Sequence, residues 1–135
     1  MNTKPVLSAE DVKKILAAAE AHALQNKWAV AIAVVDDGGH LMGMLRLDGV
    51  APISSYLAPA KANTAAMGRR ESRIYEEIIN NGRYSFLSAP HLEGMLEGGV
   101  PIVVDGQIVG AVGVSGVKSS EDALIAQAGI AALGL

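Results

Sequence analysis

Residues 28 to 35 read Trp-Ala-Val-Ala-Ile-Ala-Val-Val, without a polar side chain among them. Successive side chains of a strand point to opposite faces, so a strand of this composition must be covered on both. The turn Asp36-Asp37-Gly38-Gly39 follows, and His40 to Leu47 returns as a second strand. The pattern recurs near the C-terminus, where Val100–Val104, the turn Asp105-Gly106 and Gln107–Val114 predict a second apolar hairpin. Short Asp-Gly turns make both pairs antiparallel. Two-sided apolar strands then need helices above and below. The expectation is an α/β fold, a three-layer α/β/α sandwich, and 135 residues suit a single domain spanning 1–135.

The intervening segments supply the helices. Ser8, with Asp11 three positions on, has the form of a capped helix start. Val12, Ile15, Leu16, Ala19 and Ala23 extend one apolar stripe as far as Asn26. Ser54–Gly68 is Ala-rich and helical, with Pro59 tolerable only near the first turn. Arg69–Asn80 is expected to continue helically to the stop Asn80-Asn81-Gly82. Tyr84–Gly99, which holds Pro90 and His91, reads as loop with a short strand. Ser119 or Ser120 is expected to cap a last helix, Glu121 and Asp122 favouring its N-terminal dipole. From Ala123 to Leu133 the only polar side chain of that helix is Gln127. A terminal helix apolar all round can rest one side on its own sheet, so the other is expected to meet a second subunit.

Composition narrows the function. A net charge of −3 is at odds with the basic stripe of a nucleic-acid-binding protein. The absence of cysteine excludes disulfides, thiolate catalysis and iron–sulfur ligation. No His-x-x-x-His or Glu-x-x-His ligand set appears, so no metal site is expected. Met1–Leu7 has no apolar core of a secretory signal, and no run approaches the ~20 apolar residues of a membrane span. A cytoplasmic protein with no membrane contact is expected.

Five segments in order resemble the GlcG/HbpS family, which includes the C-terminal domain of PduO-type proteins. They are Val35-Asp36-Asp37-Gly38-Gly39-His40-Leu41, Arg46-Leu47-Asp48-Gly49, Lys61-Ala62-Asn63-Thr64-Ala65, Gly98-Gly99-Val100-Pro101-Ile102 and Val109–Gly116. Each is weak alone; their succession from Ser8 to the C-terminus is specific. The resemblance implies a profilin-like, five-stranded antiparallel sheet flanked by helices. It also implies homo-oligomers, from dimers up to octamers, and haem binding with haem degradation in the HbpS-like branch.

Haem needs an apolar slot, an axial ligand and cations for its propionates. His22, about 80° from the centre of the first helix's apolar stripe, and His91, beside Pro90 in an irregular segment, are the candidate axial ligands. His40 follows a turn and is expected at the surface. Lys61, in a small-residue stretch within the family signature, and Arg46, near a strand end, are candidate anion-binding cations; a salt bridge from Arg46 to Asp48 or Glu71 is the plainer reading. Thr64 shares a helix face with Lys61 by i, i+3 spacing. Gly98 and Gly99 would let backbone N–H groups approach a ligand, or form a turn or bulge. A small-ligand-binding accessory protein, with haem or another tetrapyrrole as ligand, is the first functional reading. The second is a small enzyme acting on a carboxylate or hydroxy-carbonyl metabolite, with Lys61 and Arg46 holding the anion and His91 or Glu97 moving a proton. An oligomeric scaffold is the third.

Overall fold

In a computed structural model describing residues 1–135, Ser8 opens the first helix with a reciprocal capping box. Its hydroxyl accepts from the Asp11 N–H at 3.1 Å, and its own N–H donates to the Asp11 carboxylate at 2.9 Å. Those hydrogen bonds from Ser8 also hold the Asp11 carboxyl below its ordinary range. Helix α1 (Ala9–Gln25) buries Val12, Ile15, Ala19 and Ala23, the stripe that its periodicity predicts. Its C-terminus folds back at Lys27, which has positive φ, and the Trp28 N–H bonds to the Ala23 carbonyl. Trp28 therefore closes the helix instead of starting a strand, and β1 begins at Ala31 (Ala31–Asp36).

Strands β1, β2 (Leu41–Arg46), β3 (Gly99–Val104) and β4 (Gln107–Ser115) form one antiparallel sheet in the order β2-β1-β4-β3. The sheet has four strands where the family resemblance implies five. Tyr84–Ser88 is a 3-10 turn, and the chain from Ala89 to Gly98 contains Pro90 and a positive φ at His91, which suit no ladder. Both hairpins form as their turns predict, with Asp105 and Gly106 each at positive φ in the second. The two hairpins meet at the centre, where β1 runs antiparallel to β4 from Ala31↔Ser115 to Asp36↔Gly110.

The unbroken apolar run of β1 resolves into two unlike faces. Ile32, Val34, Val112, Val114 and Ile102 join Val12, Ile15, Ala19, Ile125 and Ala126 in the larger core, beneath α1 and α4 (Ser119–Ala131). Ala31, Ala33, Val35 and Ala111 face Ala58, Ala62, Ala65 and Ala66 of α2 (Ser54–Gly68). One face is packed with branched side chains, the other with almost none. Helix α2 consequently lies backbone-on-backbone against the sheet: a Cβ at Gly113 would stand 2.1 Å from the Ala58 carbonyl oxygen, and one at Gly99 2.1 Å from that of Lys61.

Three expectations for the helices are corrected. Pro59 sits in the second turn of α2 rather than the first. The helix after α2 is interrupted: Arg69 adopts the left-handed conformation and caps α2, and α3 restarts at Ser72 (Ser72–Asn80). Neither Ser119 nor Ser120 caps α4. Lys118 is the N-cap, its N–H donates to Glu121, and the Val117 N–H donates to Asp122. On α4, Ile125 is buried and Ile130 half-buried, as is Leu133 just past the helix end, and Leu124 is the one large apolar side chain of the helix that is exposed. No helix is long and apolar enough to cross a membrane.

The close approach of α2 yields a prediction. Gly113→Ala forces a methyl group into the backbone of α2 and should lower stability by about 1–3 kcal/mol, read as a reduced urea midpoint.

Candidate functional site

The residues singled out in the sequence fall in two places. Lys61, Thr64, Gly98 and Gly99 come together in the interior. Lys61 is 4% exposed; its ammonium donates to the Val114 carbonyl at 3.0 Å and meets the Asp122 carboxylate at 3.2 Å. Asp122, 2% exposed, also accepts the Val117 N–H at 3.1 Å. This ion pair runs from α2, on one face of the sheet, to the first turn of α4, on the other. Gly98 makes room for it: at φ +135°, any Cβ there would lie 2.8 Å from the Lys61 Nζ. Burial pushes the Asp122 carboxyl above its ordinary value, while the Lys61 ammonium and the Val117 N–H pull it back.

The double glycine has a defined partner. The Gly99 N–H donates to the buried Ser72 hydroxyl at 2.8 Å, and that hydroxyl donates to the Leu96 carbonyl at 2.6 Å. Thr64 is fully buried and accepts the Gly94 N–H at 3.2 Å. His91 is near but exposed; its carbonyl, not its ring, is engaged, by Asn63 at 2.7 Å. Ser72 and Asp122 were not foreseen as partners. An acid in a first helical turn reads as dipole compensation, and no local spacing shows that it meets a lysine 61 positions away.

Arg46 and His22 belong to the second place. Arg46 lies exposed at the end of β2 and donates to the Ser55 hydroxyl at 3.1 Å, with no ion pair to Asp48 or Glu71. It lines a groove of about 530 Å³ with Leu24, Lys27, Trp28, Leu45 and Leu47. Half-buried His22 stands over Trp28, the ring centroids 6.1 Å apart at a 54° tilt. The groove thus has an apolar floor and two cations, with the carboxylates Glu20 and Asp48 also on its wall, and the His22 imidazole reaches it only through Trp28. Lys27 and Trp28 carried no motif; they reach the groove because the chain reverses at Lys27. His40 is exposed, as expected, and its ring is held by Asp36 at 3.1 Å. Nowhere do three His, Asp or Glu side chains converge on one point.

A four-stranded antiparallel sheet between α1 and α4 on one side and α2 on the other defines an α/β sandwich. The chain belongs to the family described as haem degrading protein HbpS-like, which matches residues 7–131. It is 56% identical over 115 residues to Protein GlcG of Escherichia coli, covering 85% of each chain. It is 32% identical over 135 residues to the corrinoid adenosyltransferase PduO of Salmonella typhimurium, covering 97% of this chain and 40% of that one. Among solved structures, a PduOC:heme complex superposes with a TM-score of 0.86 at 30% identity over 95% of each chain. HbpS superposes with a TM-score of 0.89 at 29% identity, over 100% of this chain and 95% of that one.

The buried ion pair generates the second prediction. Lys61→Met leaves a buried carboxylate without its cation and should cost about 3–5 kcal/mol at pH 7, whereas Lys61→Met with Asp122→Leu should recover most of that loss. A carboxyl whose folded-state pKa lies above its unfolded value contributes most at low pH and loses that contribution as pH rises. The deficit of Lys61→Met in urea unfolding should therefore shrink between pH 7 and pH 4.5.

Proposed function

We propose that this chain binds haem or a closely related tetrapyrrole, and that it does so in association with copies of itself. The observation carrying the ligand is the groove, with an apolar floor, Arg46 and Lys27 beside Glu20 and Asp48 on its wall and His22 packed behind its Trp28, in a chain 30% identical to the protein of a haem complex. Leu24, Trp28, Leu45 and Leu47 would shelter the macrocycle. The guanidinium of Arg46, whose sole side-chain partner is Ser55, would hold a propionate bidentately. His22 would supply the axial nitrogen, its ring oriented against Trp28. Bound haem supplies a redox-active iron; the chain's own task is to bind, orient and partly exclude water.

In this reading Lys61, Thr64, Gly98 and Gly99 act at one remove. Their polar groups are already partnered within the fold, and they hold α2, α4 and the sheet in the relation that shapes the outer surfaces. Self-association rests on the large apolar side chains left outside, among them Leu41, Ile53, Tyr56 and Leu124, each at least half exposed.

Titration with haemin tests the ligand. The wild type should give a saturable, shifted Soret band at one haem per chain. His22→Ala should lose the shift, and Arg46→Ala should weaken binding about tenfold, roughly 1.4 kcal/mol. A Soret band identical to free haemin at stoichiometric ratio, or an unaltered spectrum in His22→Ala, would remove the assignment.

A further inference from the structure

Beyond the 3-10 turn Tyr84–Ser88, the irregular chain leading to β3 runs back along α3 and encloses a second cleft. Two tethers hold that chain to the helix. The Ser72 hydroxyl donates to the Leu96 carbonyl at 2.6 Å, and one oxygen of the Glu76 carboxylate accepts the Glu97 N–H at 2.8 Å. The space left between them measures about 290 Å³, near the lower end of ligand clefts (roughly 300–1,000 Å³). It shares no residue with the groove of Arg46.

The lining is of two kinds. Ile79, Leu87, Met95 and Leu96 are apolar, Met95 being buried and Leu87 and Leu96 exposed. Glu76, Glu93 and Asn80 are polar, and no lysine, arginine or histidine joins them. The cations nearby are committed elsewhere. Arg73 pairs with Glu71 and Glu77, at 3.3 and 2.9 Å. Arg70 lies over the Tyr75 ring and Arg83 over the Phe86 ring. Glu76 and Glu93 enter no ion pair of the fold.

Two uncompensated carboxylates on an apolar cleft repel an anionic ligand and attract a cationic one. A bare divalent ion suits the site poorly. It takes six or more oxygen ligands, which two carboxylates and an amide do not supply, and it gains nothing from four apolar walls. An ammonium fits better. It carries three N–H donors, and the cleft offers three acceptors: the second oxygen of Glu76, the Glu93 carboxylate and the Asn80 amide oxygen. We propose that this cleft binds a primary amine in its protonated form, its ammonium held by Glu76, Glu93 and Asn80 and a short alkyl or aryl body of about ten non-hydrogen atoms resting on the apolar side chains. The site is separate from the proposed haem groove and stands or falls without it.

Phenethylamine is the probe, with phenethyl alcohol and phenylacetate as neutral and anionic controls of the same shape. Backbone amide NMR of the whole chain reads the result. The amine should shift the Gly94, Leu96 and Glu97 amides saturably, with a dissociation constant of about 1 mM or tighter, and the two controls should not. Glu76→Gln keeps an acceptor for the Glu97 N–H, so it and Glu93→Gln should each weaken the amine about tenfold with urea midpoints unchanged. Leu87→Ser, at the exposed apolar rim, should weaken it several-fold. No saturable shift at about 5 mM amine, equal shifts from the alcohol or the acid, or undiminished binding in the Glu76→Gln, Glu93→Gln double variant would overturn the proposal. Calcium moving the same amides at lower concentration than the amine would also overturn it, by assigning the cleft to a metal ion.

Discussion

Everything in the fold is organised around the contact between Lys61 and Asp122. The lysine rises from a helix on one face of the sheet, the aspartate from a helix on the other, and they meet at the sheet's end beneath Gly98. Both charges are almost wholly removed from water, so neither can be given up singly without leaving its partner stranded. The pair also accounts for its neighbours. Gly98 must lack a side chain because the lysine occupies that space, and the Val114 carbonyl is turned towards the ammonium. Asp122 also ties down the chain entering α4, because its second oxygen takes the Val117 N–H. Such a bond contributes little net energy. What it supplies is a definite relation between two layers that otherwise share only non-directional contacts.

The second organising fact is the difference between the two faces. Branched residues on the α1 and α4 side make a core that tolerates modest repacking. On the α2 side a row runs across the sheet from Met44 through Ala33 to Gly113 and Gly99, with helix backbone directly above its glycines. Directional tethers replace side-chain bulk there: Ser54 to Ser115 at 3.2 Å, Ser72 to Gly99 at 2.8 Å, and Thr64 to Gly94 at 3.2 Å. The cluster that looked like a ligand-binding constellation is thus threaded through the fold itself.

Much of this architecture was legible in the chain, for physical reasons that can be named. Ala31–Val35 lacks alternation because it is covered twice; Asp105-Gly106 supplies two left-handed residues; Ser8 and Asp11 cap reciprocally over three positions. All are local rules. What escaped notice was set by distant partners. The strand start moved from Trp28 to Ala31 because the Trp28 N–H is claimed by Ala23. The continuous helix after Gly68 broke at Arg69, whose guanidinium bonds back to Asp37 in the first hairpin. Lys61 as a lone cation on an alanine-rich helix invited an anion from solvent, and its anion came from another helix. The groove was legible only in pieces: His22 and Arg46 had chemical reasons to be named, whereas Lys27 and Trp28 join them through a chain reversal that no periodicity reveals.

The strand order has a consequence for how the molecule comes into being. Each hairpin is made of neighbours in sequence, but the seam between β1 and β4 joins Ala31 to Ser115 and can close only when nearly the entire chain is available. On a ribosome, the first hairpin is therefore born with the inner flank of its most apolar strand bare, and stays so until residues 107–115 emerge. During that interval the strand destined for the centre of the sheet is itself an edge, greasy on both faces and free to pair wrongly. A chain with this topology is most exposed to aggregation before it is complete, however stable it becomes afterwards.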